Sequence, residues 1–191
     1  MDLYMDELEI KQEKAKKMML WVGMISMSMT FAGLTSAYVV SSTRADWLSN
    51  FDLPNAFTIS TLLIALSSLT LFLAKYSLNN KKKTISFILI TLGLALLFVY
   101  FQFKGFGEII DQGYYFTGAE SSITTSFLYV LILLHLIHLF SGLIVLIVVF
   151  YKLQKGRYSG SNTLGFELAH LFWHFLGLLW IYLYLFILLY R

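Results

Sequence analysis

Residues 164–190 read LGFELAHLFWHFLGLLWIYLYLFILLY, and this stretch decides the fold. It exceeds the roughly 20 apolar residues that cross a bilayer, yet it carries Glu167, His170 and His174. At helical steps of three and four, Glu167, His170, His174, Gly177, Ile181 and Tyr184 fall on one stripe. Polar groups on such a stripe require a buried partner surface, expected on the preceding helix.

Working outward, four more apolar runs appear, at residues 18–40, 56–75, 84–103 and 123–151. The chain is 58% hydrophobic and only 13% charged, where a soluble domain carries about 25% charge. An all-α integral membrane protein follows: a charged lead-in at 1–17, then one domain of five transmembrane helices over 18–191. The first run is longer than the roughly 7–15 residues of a signal-peptide core and is read as a retained helix. With no cysteine, thiolate metal sites and disulfides are excluded.

In the lead-in, Glu7 and Lys11, and Glu13 and Lys17, have the spacing of helix-stabilising pairs. On the first helix Gly23, Ser26, Thr30, Gly33 and Ala37 recur at steps of three and four. Such a seam of small residues allows a second helix to approach closely, which is how membrane helices associate. Pro54, the only proline, suits a helix start, and Trp47 suits the bilayer interface. Five spans put the ends of the chain on opposite sides, with eleven Lys and Arg on the N-terminal side against three on the other. The positive-inside rule therefore expects a cytoplasmic N-terminus and an outside C-terminus. No inverted repeat of the transporter kind is evident.

All four histidines lie in spans: His135 and His138 on helix 4, His170 and His174 on helix 5. An ionisable group within a span is a functional candidate by default. At 1.5 Å per residue, His138 lies about 20 Å from the end of helix 4 and His174 about 15 Å from the start of helix 5, so the pairs are able to meet. Three readings stand side by side. A two-haem cytochrome needs ligands about 20 Å apart on each helix, whereas the spacings here are three and four, leaving room for one haem at most. A metal held by the histidines with Glu167 as general base describes a membrane metalloenzyme. A polar network of His135, His138, Glu167, His170 and His174 that locks helices 4 and 5 is the third. Nothing resembles a nucleophile elbow, a phosphate-binding loop or a nucleic-acid surface.

The motifs add a family context. FELAHLFWHFLGLLWIYLY resembles the last helix of subunit III of the haem-copper terminal oxidases, through Phe166, Glu167, Trp173, His174, Phe175, Trp180, Leu183 and Tyr184. HLIHLFSG, at 135–142, is similar to the family's HGLHVxxG, and Gly156–Ser159 reads GRYS, like the bacterial approach to the last helix. LPNAFT with Ser67, Ser68 and Gln102 completes an ordered set that matches the five-helix bacterial form. Three carboxylates expected from the family are replaced, by Met27, Gly105 and Gly177, and a Thr-Gly pair reads Ile132-Leu133.

The resemblance implies a subunit without catalytic residues, haem, copper or other metal of its own. It would pack against catalytic subunit I and other oxidase subunits, which hold the haem and copper, in a bacterial inner membrane. It implies bound phospholipid, with Arg157, Lys155 and Lys152 as candidate headgroup contacts, and support for proton uptake in an oxygen-reducing, proton-pumping complex. Cytochrome c is the expected donor ahead of quinol, and respiratory supercomplexes fit the same picture. The seam on helix 1 is then a surface for subunit I or for a neighbouring helix.

Overall fold

The computed structural model describes residues 2–44, 47–48, 53–78, 80–118, 122–156, 158 and 163–190, with the backbone alone at 2–6 and 9. Their secondary structure is entirely helical: α1 (Asp2–Ser41), α2 (Asn55–Tyr76), α3 (Lys81–Asp111), α4 (Ile123–Gln154) and α5 (Leu164–Tyr190). All five helices are long and apolar enough to cross a membrane. The lead-in is not a separate piece. It continues into α1, whose 40 residues make a rod of about 60 Å, twice the hydrocarbon thickness.

The third helix also runs beyond Phe103, where the apolar run ends. Gly105 and Gly107 are helical, and Lys104 Nζ stands 3.9 Å from Glu108 Oε1 one turn on. The stop comes at Gly113, whose φ of +84° is the left-handed geometry that glycine adopts without a Cβ clash. There the amides of Gly113 and Tyr114 donate to the carbonyls of Ile110 and Ile109. At the other end Asn80 Oδ1 accepts from the Lys83 amide, and Thr84 Oγ1 donates to the Ser77 carbonyl at 2.6 Å. This four-residue turn makes α2 and α3 an antiparallel hairpin in contact along their length. Ser122 and Thr125 form a reciprocal capping box at the start of α4.

Helices α2 to α5 close into a ring in which each touches the next and α5 returns to α2. Their shared core holds Ile64, Leu71, Ile88, Ala95, Phe98, Leu139, Leu146, Trp173 and Trp180, all buried. By contrast α1 lies outside the ring, and the helices it packs on are α4 and α5. Its inward side carries Met24, Phe31, Thr35 and Tyr38, all buried. The Tyr38 ring meets Trp47, Phe127 and Phe186 edge-on.

Helices α4 and α5 come together at Gly142. A Cβ built there would lie 2.7 Å from Leu176 Cδ1 and 3.3 Å from the Trp173 ring. Gly93 on α3 is the opposite case, with open space around it. Gly142→Val should therefore lower the melting temperature of the purified chain in detergent micelles. Gly93→Ala should raise stability by up to about 1 kcal/mol, the usual gain for a helix-interior glycine. Circular dichroism melts check both.

Candidate functional site: buried donors and outward faces

The polar chemistry of the interior is concentrated on α2. Ser60, Thr61, Ser67 and Thr70 each donate a hydroxyl proton to a carbonyl of their own helix, at 2.8–2.9 Å. That leaves each oxygen free to accept. Gln102 Nε2 of α3 donates to Ser60 Oγ at 2.7 Å, and the Trp173 indole of α5 donates to Ser67 Oγ at 3.1 Å. The Trp180 indole donates to Thr61 Oγ1 at 3.0 Å, and Thr70 shares a 2.8 Å bond with Thr91. An indole N–H is a donor only, so a buried tryptophan between membrane helices requires such an acceptor. The hydroxyls of Thr58 and Tyr184, 2.8 Å apart, extend the row, and Thr35 ties α1 to Tyr182 at 2.9 Å.

The five residues expected to form one network do not join. His135 is fully buried, with Phe31, Phe98 and Trp180 around its ring and no protein hydrogen bond to either nitrogen. His138 Nδ1 donates to the Leu134 carbonyl of its own helix at 2.8 Å, and its ring meets Phe31 edge-on. Both α4 histidines thus meet α1, and His135 meets α3 and α5 rings as well. On α5, His170 and His174 pair with each other, Nε2 to Nε2, at 3.0 Å. Glu167 is exposed, accepts from Thr163 at 3.2 Å and stands 3.9 Å from Lys17 Nζ. An exposed pair at that distance contributes little. Of the two lead-in pairs, Glu7 and Lys11 approach to 3.6 Å, while Lys17 turns to Glu167.

The α5 stripe also faces a different neighbour from the one expected. It lies toward α2: a Cβ on Gly177 would meet Ser68 Oγ at 3.0 Å, Tyr184 meets Thr58, and His170 lies near the Phe72 ring. The side of α5 that meets α4 carries Trp173 and Leu176 instead. Among the described residues no group of three or more His, Cys, Asp or Glu side chains stands together as in an enclosed metal centre.

The positions that depart from the family pattern have local causes. At Gly105 a Cβ would stand 2.8 Å from the Phe57 ring, which fills the space a side chain would take. Gly177 admits Ser68, and Met27 packs with Met24, Phe172 and Leu176 where α1 meets α5.

Other candidate residues look outward. On α1, Ser26, Thr30, Gly33 and Ala37 are exposed and Gly23 is half-buried, with open space around both glycines. Met18, Met19, Val22, Gly23 and Ser26 line an open groove of about 600 Å³. A second groove, of about 340 Å³ on α4, is lined by Ile147, Val148, Tyr151, Lys152 and Lys155, and Lys155 Nζ sits 4.5 Å from the Tyr151 ring centre. Arg157, and with it Ser159 of the GRYS motif, lies outside the described residues. Tyr158, beside Gly165 at the start of α5, is half-buried, and burial pushes its phenol up.

A multi-pass membrane protein whose buried polar groups tie helix to helix, with no cluster of metal ligands among the described residues, is the class that fold and site define. The family follows from comparison: the sequence model of the cytochrome c oxidase subunit III family matches residues 11–191, and the chain belongs to that family. A cytochrome bo(3) ubiquinol oxidase subunit 3 from Buchnera aphidicola is 29% identical over 184 residues, 93% of this chain and 88% of its own. A cytochrome c oxidase subunit 3 from Alkalihalophilus pseudofirmus is 32% identical over 157 residues, covering 81% and 73%. One from Loxodonta africana is 30% identical over 132 residues, covering 66% and 47%. The protein is thus subunit III of a haem-copper respiratory oxidase, a multi-pass inner-membrane component of a multi-subunit complex.

The tie between α5 and α2 is open to direct measurement. A double-mutant cycle of Trp173→Phe and Ser67→Ala should give a coupling of about 1 kcal/mol, within the range of hydrogen bonds between membrane helices. Reversible unfolding in mixed micelles reads it, and the same cycle with Ser60 in place of Ser67 should show none.

Proposed function

We propose that this chain works as a structural subunit without a haem or copper redox centre of its own, with its N-terminus in the cytoplasm and its C-terminus outside. It packs through the outer face of α1 against the catalytic subunit I that holds the haem and copper, and it supports proton uptake and the durability of that centre. Family membership carries the subunit reading. The observation that favours α1 as the contact is its small-residue face, which its own chain leaves uncovered. The Thr30 hydroxyl donates to the Ser26 carbonyl within the helix, so the face presents shape rather than an unmet proton donor.

Lys152 and Lys155 beside an apolar groove suit a phospholipid, with phosphate at the ammonium groups and acyl chain along Ile147 and Val148. As donor, cytochrome c is the first reading, in line with the description of the matching family. Ubiquinol is the second, favoured by the near full-length alignment with the Buchnera aphidicola subunit. Oxygen uptake by the purified complex, with reduced cytochrome c and with ubiquinol in turn, separates the two.

Gly33→Leu tests the contact. The site has no neighbour within 4 Å and glycine is a poor helix former, so the substitution should leave the isolated chain as stable as before. It should sharply reduce recovery of the chain with the haem-copper subunit. Undiminished recovery, or a stoichiometric haem band on the isolated chain, would overturn the proposal.

A further inference from the structure

The pair His170 and His174 has a geometry that packing does not require. Their Nε2 atoms lie 3.0 Å apart, with ring planes at 81°, on successive turns of one helix. Neither ring is fully buried, in contrast to His135. Histidines four apart stand on the same side of a helix with Cβ atoms about 5–6 Å apart, so both imidazoles reach one point without moving the backbone. With metal–nitrogen bonds of about 2.0–2.1 Å, nitrogens 3.0 Å apart subtend about 90° at a shared ion. That is the angle between adjacent ligands in octahedral or square coordination. Tetrahedral coordination would need roughly 3.4 Å.

We propose that His170 and His174 form a two-ligand site for a divalent transition-metal ion, with Ni²⁺ and Cu²⁺ preferred to Zn²⁺. In the metal-free pair one Nε2–H donates to the other Nε2. On binding, that ring moves its proton to Nδ1, so both Nε2 lone pairs face the ion and no proton is lost. The remaining positions fall to water, since no third His, Asp or Glu converges with the pair among the described residues. A site of this kind exchanges its ion, unlike the enclosed site of a resident cofactor. The Lys75 ammonium of α2 lies within electrostatic reach of both rings and opposes a cation. It therefore lowers the affinity. The inference does not depend on which subunit or donor the chain meets.

The test uses the full chain without a histidine tag, in phosphatidylcholine nanodiscs, titrated with NiCl₂ or ZnCl₂ alone by calorimetry. One Ni²⁺ per chain should bind, more tightly than Zn²⁺. Either His170→Ala or His174→Ala should weaken Ni²⁺ binding by at least the roughly 10- to 100-fold that follows loss of a ligand's supporting partner. Lys75→Gln, which leaves both ligands in place, should tighten it severalfold. No binding, binding that survives both histidine substitutions, or no response to Lys75→Gln would each overturn the site and leave a plain N–H···N bond. Should the histidine variants fail to fold, the Lys75 variant and the Ni²⁺ to Zn²⁺ order still decide.

Discussion

A donor with no alternative acceptor governs this bundle. Trp173 and Trp180 place two indole N–H groups in the interior, and α2 supplies a hydroxyl to each. Because those hydroxyls already donate to their own backbone, each presents a lone pair in one direction. In hydrocarbon the association of helices gains little from apolar burial, so directional bonds and close approach set how one helix is rotated against the next. The Trp–Ser and Trp–Thr ties fix α5 against α2, Gln102 fixes α3 against α2, and Gly142 lets α4 close on Trp173. The ring is the outcome of those four constraints.

The first helix is held differently. One hydroxyl pair, Thr35 with Tyr182, and a set of aromatic edges around Phe31 and Tyr38 join it to α4 and α5. Most of its remaining surface is free, from Met18 and Met19 through Gly33 to Val40. A helix attached along one side is a bridge between the ring and whatever lies beyond it. The proposed contact with the catalytic subunit uses the element least committed to its own core.

The number and order of the spans were legible from apolar run length alone, and residues 164–190 coincide with α5. Rotation was not. In a soluble helix the polar face marks the outside, whereas here both lipid-facing and core-facing positions are apolar, so the stripe of Glu167, His170 and His174 carries no mark of which neighbour it meets. It turned toward α2, because Trp173 and Leu176 had claimed the approach to Gly142. The hydroxyls of α2 were visible as residues, but a Ser or Thr in a membrane helix is equally satisfied by its own carbonyl, and only the facing indole reveals the second bond. Helix α3 continues past its apolar run for a local reason: of Gly105, Gly107 and Gly113 only the last takes a positive φ.

The contact between Phe57 and Gly105 links two positions that lie 48 residues apart in sequence. A carboxylate side chain in place of Gly105 requires the Phe57 ring to move, since a Cβ there already stands 2.8 Å from it. Exchanging Gly105 first drives a side chain into the ring, and exchanging Phe57 first leaves a core cavity that costs about 3–5 kcal/mol. Neither order is neutral. The two positions are therefore coupled: a side chain at Gly105 and a phenyl ring at Phe57 compete for one space.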